Sequence, residues 1–200
     1  AAGQPQQRRL LVRGVVVDDK VHINLKRITI RNFQNRDAAD FFEYRSDPVA
    51  NILQGYTPMT ALEQAVDYID RQKNSLFGAA GHWIQLGIIE NAENKLIGDI
   101  GIRPQDYDPR MVEIGFTISS DFRRNGYAKE ALSGLFAWLF WEKQIHRIVA
   151  ITDTENHATI RLLESLRMRK EGKTVKSFWN QGGWRDEYLF ALLSEEWMTY

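Results

Sequence analysis

Apolar and polar positions alternate from Arg27 to Arg31, with Ile28 and Ile30 set against Arg27, Thr29 and Arg31. That two-residue period predicts a half-buried strand that opens the domain. Upstream, valine-rich Leu10 to Val17 reads as a further strand or as an arm, and the pattern leaves both open. Ala38, Phe41, Phe42 and Tyr44 recur at helical spacing after Asp37, and Pro48 ends the run. Thr60 and Glu63 have the spacing of a capping box ahead of Leu62, Val66 and Ile69, which predicts a second helix to about Gln72. Past the glycines at 78 and 81, strands are expected at Trp83 to Glu90 and Leu96 to Arg103, joined by a short polar hairpin loop, and at Val112 to Ile118. Leu132, Leu135, Phe136, Leu139 and Phe140 then mark one long helix from about Gly126 to Lys143. A strand at Arg147 to Thr152, a helix capped by Asn156, and two strands near Arg169 to Phe178 and Glu187 to Leu193 complete the chain, the last pair turning at Gly182-Gly183.

The order is strand, two helices, a three-strand meander, helix, strand, helix, two strands. Helices must cover both faces, so the expectation is a mixed α/β or α+β domain built on a single layer of sheet. Residues 1–23 read as an extension or leader, and 24–200 as one domain. The chain has 200 residues, 44% hydrophobic and 26% charged, which suits a single core better than two.

Composition narrows the chemistry. With 26 basic and 26 acidic residues there is no overall field to hold the protein on nucleic acid or an anionic membrane, so any polyanion site must be local. The absence of cysteine removes disulfides, thiolate metal sites and an acyl group parked on a protein thiol. The four histidines lack metal-like spacing, so no metal is expected. The longest apolar run, near Leu135 to Trp141, is far too short to span a bilayer, and a cytoplasmic location is the expectation.

The local polyanion site is suggested where the third meander strand meets the long helix. Arg123, Gly126 and Ala128 fit Arg/Gln-x-x-Gly-x-Gly/Ala within Arg123-Arg124-Asn125-Gly126-Tyr127-Ala128-Lys129. A helix N-terminus presents free amides and the positive end of its dipole, and small residues let a phosphate approach the backbone. Arg123, Arg124 and Lys129 add charge. The alternative is a solvated basic loop that only starts a helix.

With these motifs in order, the chain resembles the GCN5-related N-acetyltransferase (GNAT) superfamily, and within it the RimJ/RimL branch of ribosomal-protein-alanine N-acetyltransferases. The resemblance covers about Asn24 to Trp197 and rests on Ile28 to Arg31, EIGFTIS at Glu113 to Ser119, RRNGYAKEAL at Arg123 to Leu132 and ENHATIRLLESLRM at Glu155 to Met168. It implies a GNAT fold: a central mixed, mostly antiparallel sheet, splayed between its fourth and fifth strands to grip acetyl-CoA as co-substrate. Backbone near Phe116, Thr117 and Ile118 would pair with the pantetheine arm, amides from Arg124 to Lys129 would bind pyrophosphate, and Asn156 would bond the arm.

The implied activity is acetyl transfer from acetyl-CoA to a primary amine, a protein N-terminus or a small molecule, directly within a ternary complex. Glu113 matches the family's frequent glutamate and would act as base through a water; otherwise it is a plain strand carboxylate. The tyrosine that many relatives place after the asparagine is Leu163 here, leaving Thr159 as the candidate donor to the departing sulfur, or simply as helix surface. Tyr188 is a weaker candidate. Arg124 stands where the family commonly has glycine, and Arg167-Met168 where it has a glycine-aromatic pair. Trp83, Phe33 and Tyr56 line the acceptor pocket or belong to the core. Dimers are common among similar proteins, so a homodimer is compatible. The alternative function is a non-catalytic acyl-CoA sensor or interaction module; a nucleic-acid binder is disfavoured by scattered basic residues.

Overall fold

The computed structural model describes residues 10–12, 15–17, 20–48, 51–180 and 182–197. A short antiparallel pair, β1 (Leu10–Val12) and β2 (Val15–Val17), forms a sheet of its own. The main sheet comprises β3 (His22–Asn24), β4 (Ile28–Asn32), β5 (Ile84–Glu90), β6 (Lys95–Pro104), β7 (Met111–Ile118), β8 (Arg147–Asp153), β9 (Arg169–Asn180) and β10 (Gly183–Leu193). Their spatial order is β3-β4-β5-β6-β7-β8-β10-β9, and every neighbouring pair is antiparallel except β7 with β8. The expected mixed, mostly antiparallel sheet is what forms.

Alternating side chains send β5 and β6 residues to two cores, while β7 feeds one of them. On one face α1 (Ala38–Arg45) and α2 (Leu62–Gln72) close Phe33, Phe41, Tyr44, Ala65, Ile69, Ile89 and Leu96. On the other, α3 (Tyr127–Ala137) and α4 (His157–Ser165) pack the larger cluster, including Ile100, Val112, Ile114, Leu132, Leu135, Phe136 and Leu163. Beyond Ala137 the long helix continues in a wider turn, Trp138–Glu142, closed by the Lys143 amide on the Trp138 carbonyl at 3.1 Å. A last turn, α5 (Ser194–Trp197), follows β10.

Two local expectations are corrected. The α2 cap lies one residue later than the Thr60 and Glu63 spacing suggested: the Gln64 side chain accepts from the Thr60 and Ala61 amides at 2.8 and 3.3 Å. Its buried face is accordingly Ala65 and Ile69, while Leu62 and Val66 are exposed. The pattern also overlooked β3, which pairs with β4, and Val21 beside it, which is buried.

Candidate active site

The site begins where two strands part. β7 and β8 share four registered pairs, from Met111 with Arg147 to Ile114 with Ala150. β7 stays paired with β6 as far as Ile118, and β8 with β10 as far as Asp153. From Gly115 to Ile118 the β7 edge therefore faces a widening slot, with backbone groups available to an extended ligand lying as an added strand.

At the far end of that edge the chain turns through Ser120–Phe122 and Arg123 into α3. Arg124 and Gly126 both adopt left-handed backbone, with φ of 63° and 82°. For Gly126 this conformation is free of the β-carbon clash, which is why glycine suits the position. Glu130 donates to the Gly126 carbonyl at 3.1 Å, so the amides of Tyr127 to Lys129 precede the first closed helical bond and form the donor end of the helix. Arg124, Asn125, Gly126 and Lys129 are exposed, whereas the Arg123 Nε donates to the Ile118 carbonyl at 2.9 Å and ties the loop back to β7. Arg123 thus holds the loop's shape as well as adding charge.

Arg27, at the start of β4, is a residue that sequence reasoning missed. It holds Glu130 on α3 through its backbone N–H at 2.8 Å and its Nε at 2.7 Å. A second guanidinium nitrogen donates to the Asn125 carbonyl at 2.9 Å, and the cation lies 4.6 Å from the Tyr127 ring centre. The donor end of α3 is fixed from beneath by a strand far away in sequence.

Across the slot, Asn156 caps α4: its Oδ1 accepts the Thr159 amide at 3.2 Å, which leaves the carboxamide nitrogen as a donor. Thr159 is half-buried in the first turn and its hydroxyl takes no part in the described hydrogen bonds. Leu163 is fully buried in the core. Tyr188, on β10, has the Lys170 ammonium 4.0 Å from its ring centre. Glu113 lies on the α1 and α2 face of β7, paired with Arg103 of β6, whose guanidinium also sits 5.3 Å from the Trp83 ring.

A buried polar cluster supports this face. Asp99, on β6 opposite Thr117, is fully buried and accepts from Tyr44 at 2.6 Å, from Arg45 at 2.6 and 3.2 Å, and from Gln85. Breaking such a pair strands a buried charge at a cost of about 3–5 kcal/mol. Tyr56 completes the cluster, donating to Asn51 Oδ1 at 2.5 Å with the Arg45 guanidinium 3.7 Å from its ring centre. Burial pushes the Tyr56 phenol up, while the Arg45 charge pulls the other way. Of the three aromatics considered for the acceptor pocket, Phe33 belongs to the core, Trp83 is 40% exposed, and Tyr56 packs on Arg45, the partner of the Asp99 that lies opposite Thr117.

A splayed parallel pair with a helix start at its mouth is built to hold an extended ligand that ends in a phosphate. The chain belongs to the acetyltransferase (GNAT) domain family, whose model matches residues 27–169. It is an acetyltransferase. An uncharacterized N-acetyltransferase of Bacillus subtilis, YnaD, is 31% identical over 179 residues, covering 88% of this chain and 99% of the relative. The [ribosomal protein uS5]-alanine N-acetyltransferase of Escherichia coli is 24% identical over 187 residues, covering 89% and 93%. Among solved structures, a GNAT-family acetyltransferase from Bacillus anthracis superposes with a TM-score of 0.76 at 29% identity, covering 88% of this chain and all of that one.

Proposed function

We propose that the protein moves an acetyl group from acetyl-CoA to a primary amine by direct attack, within the domain spanning 24–200. The observation that carries this reading is the parting of β7 from β8 directly in front of the α3 donor end. The residues fit the group: the Gly115 to Ile118 edge suits an amide-bearing arm, and Gly126 lets phosphate oxygens reach the amides of Arg124 to Lys129. Acetyl-CoA supplies an activated thioester carbonyl. Phe116, Thr117 and Ile118 align the arm through their backbone, and Asn156 contributes its carboxamide nitrogen. Glu113 accepts a proton from the incoming amine through a water, and Thr159 offers a hydroxyl to the sulfur side. A backbone N–H on the β7 edge is the oxyanion donor. The Arg103 ion pair keeps Glu113 anchored, so Glu113→Gln is expected to lower kcat while leaving CoA affinity intact.

Within the family we assign the RimJ/RimL branch, whose acceptors are α-amines, supported by the EIGFTIS and ENHATIRLLESLRM segments and by the full-length likeness to the Escherichia coli enzyme. Thermal unfolding with and without CoA tests the reading. At a hundredfold excess over Kd, CoA should stabilise the protein by about 2.7 kcal/mol. Gly126→Val, which forces a β-carbon into left-handed backbone, should lose that shift. No stabilisation of the wild type at any CoA concentration, or full stabilisation of Gly126→Val, would refute the assignment. Acetyl-CoA turnover against α-amine peptides and polyamines then identifies the acceptor.

A further inference from the structure

On the face of the sheet that carries α1 and α2, β7 presents Glu113, Gly115 and Thr117 in turn, since alternate strand residues share a face. A methyl built on Gly115 would meet no atom within 4 Å. The same addition on its cross-strand partner Gly101 would run into Gln85 at 2.9 Å and Trp83 at 3.0 Å. Open space therefore lies over β7, at the level where the strand leaves β8.

Side chains that are themselves held flank this space along the strand. At one end stands the Glu113–Arg103 ion pair. Toward the other stands Tyr56, whose ring lies under Arg45, the partner of the Asp99 that faces Thr117 across the β6–β7 pair. Asn51, whose Oδ1 accepts the Tyr56 hydrogen bond, is fully buried, and its own nitrogen donates to the Tyr44 carbonyl at 2.5 Å and the Asp47 carbonyl at 2.7 Å. The segment is also fastened on its outer side, where Asn180 of β9 donates to the Ile52 carbonyl at 3.0 Å. A ring under a guanidinium and within a turn pinned by Asn51 does not swing aside cheaply. Glu113 and Thr117 are four strand residues apart, about 13 Å, and their own neighbours fill part of that length.

We propose that the space over Gly115 is the acyl pocket and that Tyr56 sets its depth, restricting the enzyme to short acyl thioesters of the acetyl class. This rests on the reading that the slot holds acyl-CoA. With the arm paired along Phe116 to Ile118, the thioester falls beside Gly115 and its acyl chain turns onto this face. Tyr56 is a specificity residue that acts by occupying volume; no bond is made or broken by it.

Calorimetric titration of CoA, acetyl-CoA and butyryl-CoA into wild type, Tyr56→Phe, Tyr56→Ala and Gly115→Ala tests the pocket, with initial rates for both thioesters alongside. Wild type should bind butyryl-CoA about tenfold or more weakly than acetyl-CoA, the scale of one or two methylenes that do not fit. Tyr56→Phe keeps the ring and that ratio, while Tyr56→Ala should bring the two thioesters within about threefold. Gly115→Ala adds its methyl to open space, so it should fold and bind CoA as wild type does yet lose about tenfold for acetyl-CoA. A wild type indifferent to chain length, or a Tyr56→Ala protein with the wild-type ratio and normal CoA affinity, overturns the proposal. If Tyr56→Ala does not fold, unchanged acetyl-CoA affinity in Gly115→Ala overturns it alone. Failure of wild type to bind CoA at all refutes the cofactor reading, and the pocket with it.

Discussion

Arg124 and Arg167 hold left-handed backbone, with φ of 63° and 62°, where a β-carbon costs about 1–2 kcal/mol. The family resemblance puts glycine, the residue suited to such turns, at both positions. At Arg124 the strain buys a cation beside the donor end of α3, as strained backbone at functional sites often does. Arg124→Gly should therefore raise stability by about 0.5–1 kcal/mol, once the entropy of glycine is offset, while weakening CoA binding. Urea unfolding measures this, and a destabilised variant would show that the arginine side chain outweighs the strain. Residue-scale chemistry was legible where it is local. Asn156 caps the amide three residues on, and sequence spacing alone announces that. Arg27 could not be found in the same way, because Glu130 lies 103 residues further along the chain. Nor do Phe33, Trp83 and Tyr56 differ in the sequence; only packing separates a core ring from one at the site.

Among the elements, β9 is the exposed outer edge of the sheet, and it is secured by charge rather than burial. Glu171 accepts from Arg147 of β8, reaching across β10, and from Arg169 at 2.7 Å, while Arg169 also holds Glu196 of α5. The Arg147 hydrogen bond, then that of Arg169, lowers the Glu171 carboxyl from 4.5 to about 2. A depressed folded-state pKa stabilises above the unfolded value and is lost as pH falls from there toward the folded one. Because the group is largely exposed, the contribution is at most about 1 kcal/mol. Glu171→Gln should therefore cost about 0.5–1 kcal/mol near neutrality, with the gap to wild type shrinking below about pH 4.5 and closing near pH 2. Denaturant titrations across that range, or a gap independent of pH, decide it. The misplaced α2 cap has a related origin: Glu63 and Gln64 both offer a side-chain acceptor near the first turn, and the tie is broken by tertiary packing of Ala65 and Ile69, which spacing does not register.

At the scale of the whole molecule, strand order and helix order were readable because each long element carries a strong period. What was not readable is where the sheet comes apart, since β7 and β8 look alike before and after Ile114. Yet that boundary organises the protein. β3 to β7 form one leaf and β8 to β10 another, and four residue pairs near Met111 to Ile114 join their backbones. A ligand seated along the remaining edge then works as a zip between the leaves. Hydrogen exchange should register this as added protection on both sides at once: CoA should slow the amides of 115–118 on β7 and those toward Asp153 on β8 by about tenfold or more, as expected for sub-global opening suppressed by binding. Protection confined to the phosphate loop would contradict it. On the proposed reading, binding of the co-substrate is also the last act of sheet assembly.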